Sequence, residues 1–92
     1  MKITFDPAKD RINRNKHGLP LAAAEHLFHQ PTIQFEDDRF DYGEARMVAL
    51  GLIEGRVVVC VYVDRGNTRR IISLRKATKH ETTEYFHFAH GR

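Results

Sequence analysis

The longest apolar run in the chain is VVVCVYV, residues 57–63. Apolar and polar side chains do not alternate in it, so it predicts a strand that is buried on both faces of a sheet. Residues 46–53 and 69–76, on either side of it, predict two further strands. A tight hairpin is predicted at Glu54-Gly55 and a longer loop at residues 64–68. The run is therefore the predicted central strand of an antiparallel meander.

Helices are predicted before and after this meander. A first helix is expected over residues 6–18, which begin with a capping Asp-Pro pair and end at glycine. A second is expected over residues 20–30, because Pro31 must end it. Thr78 and Glu81 form a capping-box pattern that starts the last helix. The first helix has little apolar content, chiefly Ala8 and Ile12, so one of its faces is expected to be polar and basic. The inward-facing residues of the last helix are expected to be Tyr85, Phe86, Phe88 and Ala89.

The order of the elements is typical of an α+β fold. Short strands are also predicted over residues 2–5 and 32–36. We therefore expect two N-terminal helices, a mainly antiparallel sheet of about four strands and a C-terminal helix. The chain has 92 residues, of which 41% are hydrophobic, and this is enough for one core only. Residues 1–92 are accordingly expected to form a single domain.

Several classes of protein are excluded by composition. A single cysteine, Cys60, rules out an intrachain disulfide framework and a cysteine zinc cluster, and it is expected to be an inert core residue. The seven-residue apolar run is far below the ~20 residues that span a bilayer. The chain reaches Asp6 before any apolar stretch develops, so no signal peptide is predicted. We therefore expect a cytoplasmic protein without a membrane segment.

The net charge of +3 is unevenly distributed along the chain. Residues 1–18 hold five basic and two acidic residues. Residues 19–44 hold one basic and six acidic residues, and residues 45–92 hold nine basic and four acidic residues. The acidic residues of the middle portion cluster at 36–41, which is either a solvated turn or a contact for a basic partner. Two basic portions therefore flank an acidic one.

The last predicted strand and its surroundings carry the densest group of basic residues. Strict alternation would place Arg69 and Arg75 on one face of this strand and Arg70 and Lys76 on the other. Guanidinium groups match the geometry of phosphate, so a polyanion site is one interpretation. A solvated basic edge that opposes aggregation is the other. The residues of this group are Arg65, Arg69, Arg70, Arg75, Lys76 and Lys79.

The histidines allow two interpretations as well. His17, beside Lys16 at the end of the first helix, could transfer protons near neutral pH or simply complement the helix dipole. His26 with His29, and His87 with His90, are each three residues apart and could share a helix face. No acidic residue completes either pair as a set of metal ligands, so no metal site is predicted.

Four short motifs follow one another along the chain: FDPAK at 5–9, NKHG at 15–18, GEAR at 43–46 and IISLRKA at 71–77. In this order and at these separations they resemble the BrnT toxin family, over residues 5–86. Family members often carry tryptophan at the position of Phe5 and alanine at that of Leu74, and neither difference involves a polar group.

The resemblance implies an endoribonuclease toxin of a type II toxin–antitoxin system with a RelE-like fold and no cofactor. It further implies a BrnA-like antitoxin, a two-plus-two heterotetramer, and operator DNA that is bound only through the antitoxin. An acidic antitoxin segment is expected to cover residues 65–79 or the neighbouring first helix. A non-catalytic RNA-binding or protein-interaction module with the same basic surface is the alternative.

RNA cleavage without a metal requires a proton acceptor, a proton donor and cations that stabilise charge on phosphorus. Arg65 and Arg75 are the predicted contacts to the phosphate and transition state, and His17 is the predicted proton-transfer residue. Lys16 and Arg46 are further catalytic candidates. The predicted RNA-binding residues are Arg69, Arg70, Lys76 and Lys79.

Overall fold

The computed structural model describes residues 1–39, 41 and 43–91, and its elements confirm the α+β class. None of the helices in these ranges is long and apolar enough to cross a membrane. The elements are β1 (Lys2–Thr4), α1 (Pro7–His17), a 3-10 helix (Leu21–Ala23), α2 (Ala24–Leu27), β2 (Ile33–Asp37), β3 (Arg46–Ile53), β4 (Arg56–Arg65), β5 (Thr68–Lys76) and α3 (Lys79–Ala89).

The strands form one mixed sheet in the order β1-β5-β4-β3-β2. The predicted central strand is confirmed as β4, which pairs antiparallel with β3 and β5. The expected count of about four strands is wrong, because the described residues form five. The short β1 pairs parallel with the start of β5, and the chain then crosses over through the helices to reach the opposite edge at β2.

The sheet has two faces, which are covered differently. The helical face carries Val58, Cys60 and Tyr62, and these side chains pack against the 3-10 helix and α2. We call the other face the open face, because α3 covers only part of it. It carries Val57 and Val59, which pack against Tyr85 of α3. Both faces of β4 are therefore buried along most of its length, which is why the run lacks polar alternation.

Helix α1, whose apolar content is thin, docks through polar groups. Ile12 is 63% exposed, and the buried position of this helix is Asn13. Its Nδ2 group donates to the carbonyl oxygens of Leu19 and Leu74, at 2.8 Å each, and Oδ1 accepts from the Leu74 amide at 3.1 Å. Since β1 pairs with β5 only as far as Arg70, the Asn13 side chain takes the place of a strand further along that edge.

The predicted second helix is divided into the 3-10 helix and a single turn of α-helix. Its buried residues Leu21, Ala24 and Leu27 are each three positions apart, which is the repeat of a 3-10 helix. The Asp10 carboxylate of α1 accepts a hydrogen bond from the Leu21 amide at 2.8 Å. This contact and the spacing of the apolar residues favour a 3-10 rather than an α-helical conformation at residues 21–23.

The connection between β4 and β5 is shorter than expected. The predicted loop over 64–68 is reduced to Gly66 and Asn67, since Arg65 and Thr68 still pair with each other. Gly66 has a φ of 58°, which permits a two-residue hairpin. The Glu54-Gly55 hairpin between β3 and β4 is confirmed.

Helix α3 begins as predicted but buries less of its aromatic surface. Thr78 and Glu81 form a complete capping box. Tyr85 is buried, and its hydroxyl donates to the Pro31 carbonyl at 3.1 Å. The expectation that Phe86, Phe88 and Ala89 also face inward is wrong, because only one side of the helix meets the sheet.

Replacement of Asn13 by alanine should lower the free energy of unfolding by about 2–3 kcal/mol, because buried groups of Leu19 and Leu74 lose their hydrogen-bond partner. Urea denaturation followed by circular dichroism measures this. Asn15→Ala, at an exposed position of the same helix, is the matched control and should change stability by less than about 0.5 kcal/mol. Equal stability of the two variants would show that the Asn13 contacts do not hold α1.

Candidate functional site

A β-bulge in β5 changes the faces on which its side chains lie. Val61 of β4 pairs with Ser73, whereas the next residue, Tyr62, pairs with Ile71. Ile72 is therefore an extra residue on β5, and the alternation of side chains resumes one position later. Directly paired residues of neighbouring strands share a face.

The strict alternation predicted for this strand is consequently wrong. Arg70 pairs with Val63, Ser73 with Val61 and Arg75 with Val59, so all three lie on the open face. Arg69 and Lys76 belong to the helical face instead. The bulge thus brings together two arginines that the predicted alternation separated.

A cavity of about 610 Å³ lies on the open face, beside the part of the sheet that α3 covers. Its floor contains Val48, Val59 and Val61, with Ser73 beside them. An arginine–carboxylate pair lies on the β5 side, and a second pair lies on the β2 side. The remaining lining residues are Phe35, Glu36, Asp37, Asp38, Arg39, Arg75 and Glu81.

The pair on the β5 side joins Arg75 to Glu81. Arg75 Nη1 and Nη2 donate to Oε1 and Oε2 of Glu81, each at 2.9 Å. These hydrogen bonds, together with one from the Thr78 backbone amide, lower the pKa of Glu81 to about 2, and they raise the pKa of Arg75. Both groups are therefore charged at neutral pH and hold one another at the wall of the cavity.

The pair on the β2 side joins Arg39 to Asp37. Nε and Nη2 of Arg39 donate to the two carboxylate oxygens of Asp37 at 2.8 and 2.9 Å. Asp37 is only 8% exposed, so at least this member of the acidic segment 36–41 is engaged within the chain rather than solvated. Phe40 of that segment lies outside the described residues.

A third group of charges surrounds Glu44, beyond the cavity. Arg65 donates from Nε and Nη2 to the Glu44 carboxylate at 3.1 and 2.7 Å. This contact lowers the pKa of Glu44, and the charges of Arg46 and Arg70 lower it further. Three of the predicted site residues, Arg46, Arg65 and Arg70, are thus gathered around one carboxylate.

Arg69 occupies a different environment on the helical face. Its guanidinium lies 4.5 Å from the ring centre of Phe28 and 4.3 Å from that of Tyr62. Nε and Nη2 also donate to the Asp64 carboxylate, at 2.7 and 2.9 Å, which raises the pKa of Arg69. The predicted RNA-binding residue Arg69 therefore ties α2 to the sheet.

The other predicted site residues do not line the cavity. Lys16 and His17 end α1, which follows the edge of β5 on the side of the helical face. Lys76 ends β5 on the helical face, and Lys79 is the first residue of α3. Within the described ranges, no three histidine, cysteine or acidic side chains lie close enough together to hold a metal ion.

Arg75 is the one predicted site residue among the described residues that line the cavity, and two others, Phe35 and Glu81, have side chains suited to contact a ligand. Phe35 pairs with Val48, so its ring lies on the open face, and it is 50% exposed. An aromatic residue in an alternating strand is ordinarily assigned to the core. Glu81 is recognisable in the sequence only as a helix cap. Its contact with Arg75 depends on where β5 and α3 meet, which the local pattern does not reveal.

The family model described as ribonuclease toxin, BrnT, of type II toxin-antitoxin system matches residues 5–81. The chain belongs to the BrnT family. The match confirms the resemblance seen in the four motifs, and it includes every residue that lines the cavity. Comparison with curated proteins gives no significant match. As a family of ribonuclease toxins from type II systems, BrnT proteins imply an RNA target and an antitoxin partner.

Arg69→Lys should lower the free energy of unfolding by about 1–2 kcal/mol, because lysine keeps the charge but loses the planar fork and its stacking on two rings. Thermal or urea denaturation measures the change. Arg56→Lys, at an exposed position of β4, is the control and should have no measurable effect. A variant at position 69 as stable as the control would mean that Arg69 does not tie α2 to the sheet.

Proposed function

We propose that this chain is a metal-independent endoribonuclease toxin with a RelE-like fold, that residues 1–92 form its single domain, and that it cleaves RNA on the open face. Cleavage would inhibit translation and growth in the cytoplasm. The observation that carries the proposal is the bulge in β5, which brings Arg70, Ser73 and Arg75 to the face that α1 and α2 leave uncovered, where Ser73 and Arg75 line a cavity. Membership of the BrnT family supports the same activity.

Arg75 is the proposed ligand of the scissile phosphate. Attack of a 2′-oxygen on the adjacent phosphorus increases the negative charge on the phosphate oxygens, and a fixed cation stabilises that charge. The Arg75 fork lies in the cavity wall and already binds a carboxylate end-on through Nη1 and Nη2. A phosphate group offers the same two-oxygen geometry.

The arginines around Glu44 are proposed to bind the RNA backbone outside the cavity. Arg65 is half-exposed, and Arg70 lies on the same open face as Arg75. Arg46, Arg65 and Arg70 surround one carboxylate, so the group keeps a positive excess. Lys79 begins the helix that holds Glu81, and we include it among the RNA contacts.

Lys16, His17, Arg69 and Lys76 lie outside the cavity. The role of His17 and Lys16 in proton transfer stays a prediction. The same holds for the role of Arg69 and Lys76 in RNA binding.

Phe35 is proposed to stack on an RNA base. Its half-exposed ring lies on the open face and lines the same cavity as Arg75. Proteins recognise single-stranded RNA by stacking unpaired bases on exposed aromatic rings beside cationic groups. The cavity then receives a base at the β2 side and a phosphate at the β5 side.

The proposed partner is a BrnA-like antitoxin. We propose that an acidic segment of it covers the arginines of the open face, because complementary charge favours that surface. A two-plus-two heterotetramer would form through the antitoxin's own DNA-binding domain, which would also be the contact to operator DNA. No membrane partner is proposed.

Arg75→Ala should lower the rate of RNA cleavage by about 10²–10³-fold, the loss typical for one group that stabilises transition-state charge. Cleavage of single-stranded RNA is measured with and without EDTA, and growth arrest is measured on expression without antitoxin. Arg56→Ala, which removes an exposed arginine from the β3–β4 end of the sheet, is the control.

Wild-type activity that disappears with EDTA would contradict the metal-independent mechanism, and full toxicity of Arg75→Ala would contradict the proposed site. Salt-dependent RNA binding without cleavage would favour the alternative, a non-catalytic RNA-binding or interaction module.

Phe35→Leu should weaken the binding of single-stranded RNA by about 5- to 150-fold, because one base–aromatic stack contributes about 1–3 kcal/mol. The dissociation constant is measured with a labelled oligonucleotide under conditions that prevent cleavage. Phe88→Leu removes another exposed ring, outside the cavity, and should leave RNA affinity unchanged. Equal affinities of the two variants would rule out stacking on Phe35.

A further inference from the structure

We propose that the Glu81 carboxylate accepts the proton of the attacking 2′-hydroxyl group, which makes Glu81 a catalytic residue of this toxin. The inference rests on the proposed function and identifies the proton acceptor of the same site. The described residues that line the cavity include no histidine, lysine, tyrosine or cysteine. Its possible proton acceptors are therefore carboxylates, apart from the Ser73 hydroxyl.

The four carboxylates of the cavity are not equivalent. Asp37 is buried, and both of its oxygens are bound by Arg39. Glu36 pairs with Met47, which packs on the helical face, so its side chain projects from the face opposite Arg75. Asp38 follows the end of β2 and is exposed. Glu81 is the carboxylate that is bound directly to the proposed phosphate ligand.

The two carboxylate oxygens of Glu81 have different hydrogen-bond partners. Oε1 accepts from the Thr78 backbone amide at 2.8 Å and from Arg75 Nη1 at 2.9 Å. Oε2 accepts from Arg75 Nη2, its one hydrogen-bond donor among the described residues. The Glu81 side chain is 27% exposed. Since Oε1 accepts two of these hydrogen bonds and Oε2 accepts one, Oε2 has the greater capacity for a further hydrogen bond. The capping box anchors the group through Oε1.

Binding of RNA would exchange the partner of Arg75. Phosphate oxygens can occupy the guanidinium fork in the same bidentate manner as the carboxylate. Glu81 then stays beside the phosphate, because the Thr78 amide still holds it. The hydrogen bond from Arg75 is the main cause of its low pKa, so loss of that bond moves the pKa back toward the ordinary 4.5 and strengthens the carboxylate as a base.

The reaction step is balanced without any other reagent except water. The 2′-O–H bond breaks and its proton passes to Oε2, while the 2′-oxygen forms a bond to phosphorus. The bond from phosphorus to the 5′-oxygen then breaks, and the 5′-oxygen takes a proton from water. The products are a 2′,3′-cyclic phosphate and a 5′-hydroxyl, and Glu81 afterwards releases its proton to water.

Several charged groups lie around Glu81, and Arg75 is the one that lowers its pKa. Arg75 faces it from β5, and Arg39 lies close enough across the cavity to affect the pKa of Arg75. Asp37 and Asp38 line the β2 side. On its own helix, the neighbouring titratable residues are Lys79, His80 and Glu84.

The test is single-turnover cleavage of an RNA oligonucleotide by Glu81→Gln. Glutamine serves in a capping box as glutamate does, so α3 should keep its start, and circular dichroism verifies the fold. The cleavage rate constant should fall about 10²–10⁴-fold, the usual contribution of a general base. Affinity for an oligonucleotide with a 2′-deoxy scissile position should be unchanged or higher, because the fork of Arg75 is released.

The pH–rate profile provides the second measurement, on the wild-type protein itself. The rate should fall as the pH is lowered through the pKa of Glu81, and the residual activity of Glu81→Gln should lack this acid limb. Glu81→Asp keeps a carboxylate and should recover part of the rate. Glu84→Gln removes an exposed carboxylate from the same helix and should cleave like wild type.

A Glu81→Gln protein that cleaves within about threefold of wild type, keeps the acid limb, or loses only RNA affinity overturns the inference and leaves the proposed function standing. A wild-type protein that cleaves no RNA overturns the proposed function, and this inference with it.

Discussion

The Asn13 side chain binds both backbone groups of Leu74, and the sheet edge that carries the arginines depends on this contact. Strand β1 is too short to pair with all of β5, so the far half of that strand would otherwise present unpaired backbone groups. The side-chain amide of Asn13 satisfies both the N–H and the carbonyl group of Leu74, and it also donates to the Leu19 carbonyl just after α1. A helix with little apolar surface is thereby fixed beside the strand that bears Arg75.

The bulge at Ile72 has the larger consequence for the chemistry of the surface. Without it, Arg75 would share a face with Arg69, whose guanidinium is committed to two aromatic rings and Asp64. With it, Arg75 lies across from Val59 and beside Ser73, on the face that carries the cavity. A single inserted residue separates an arginine that supports the fold from arginines that are available at the surface.

The sequence predicts well the features that depend on neighbouring residues. The apolar run, the cap at Asp6 and the capping box at Thr78 each follow from local chemistry, and the structure confirms them. The family is also recognisable, because its motifs are local. The bulge, the parallel pairing of β1 and the burial of Asn13 depend on contacts between distant parts of the chain, so local patterns cannot show them. The pairing of Arg75 with Glu81 spans only six residues, but it depends on where β5 and α3 meet, which the local pattern does not show.

Three arginines in and around the cavity carry their own counterions. Arg39, Arg65 and Arg75 are each bound by a carboxylate of the same chain. Binding of a protein to a nucleic acid is ordinarily favoured by the release of mobile counterions into solution. A phosphate that enters one of these forks displaces a tethered carboxylate, which gains no translational freedom. Non-specific binding of polyanions therefore gains little free energy from ion release. The surface favours an RNA chain whose phosphates match the spacing of the arginine guanidinium groups.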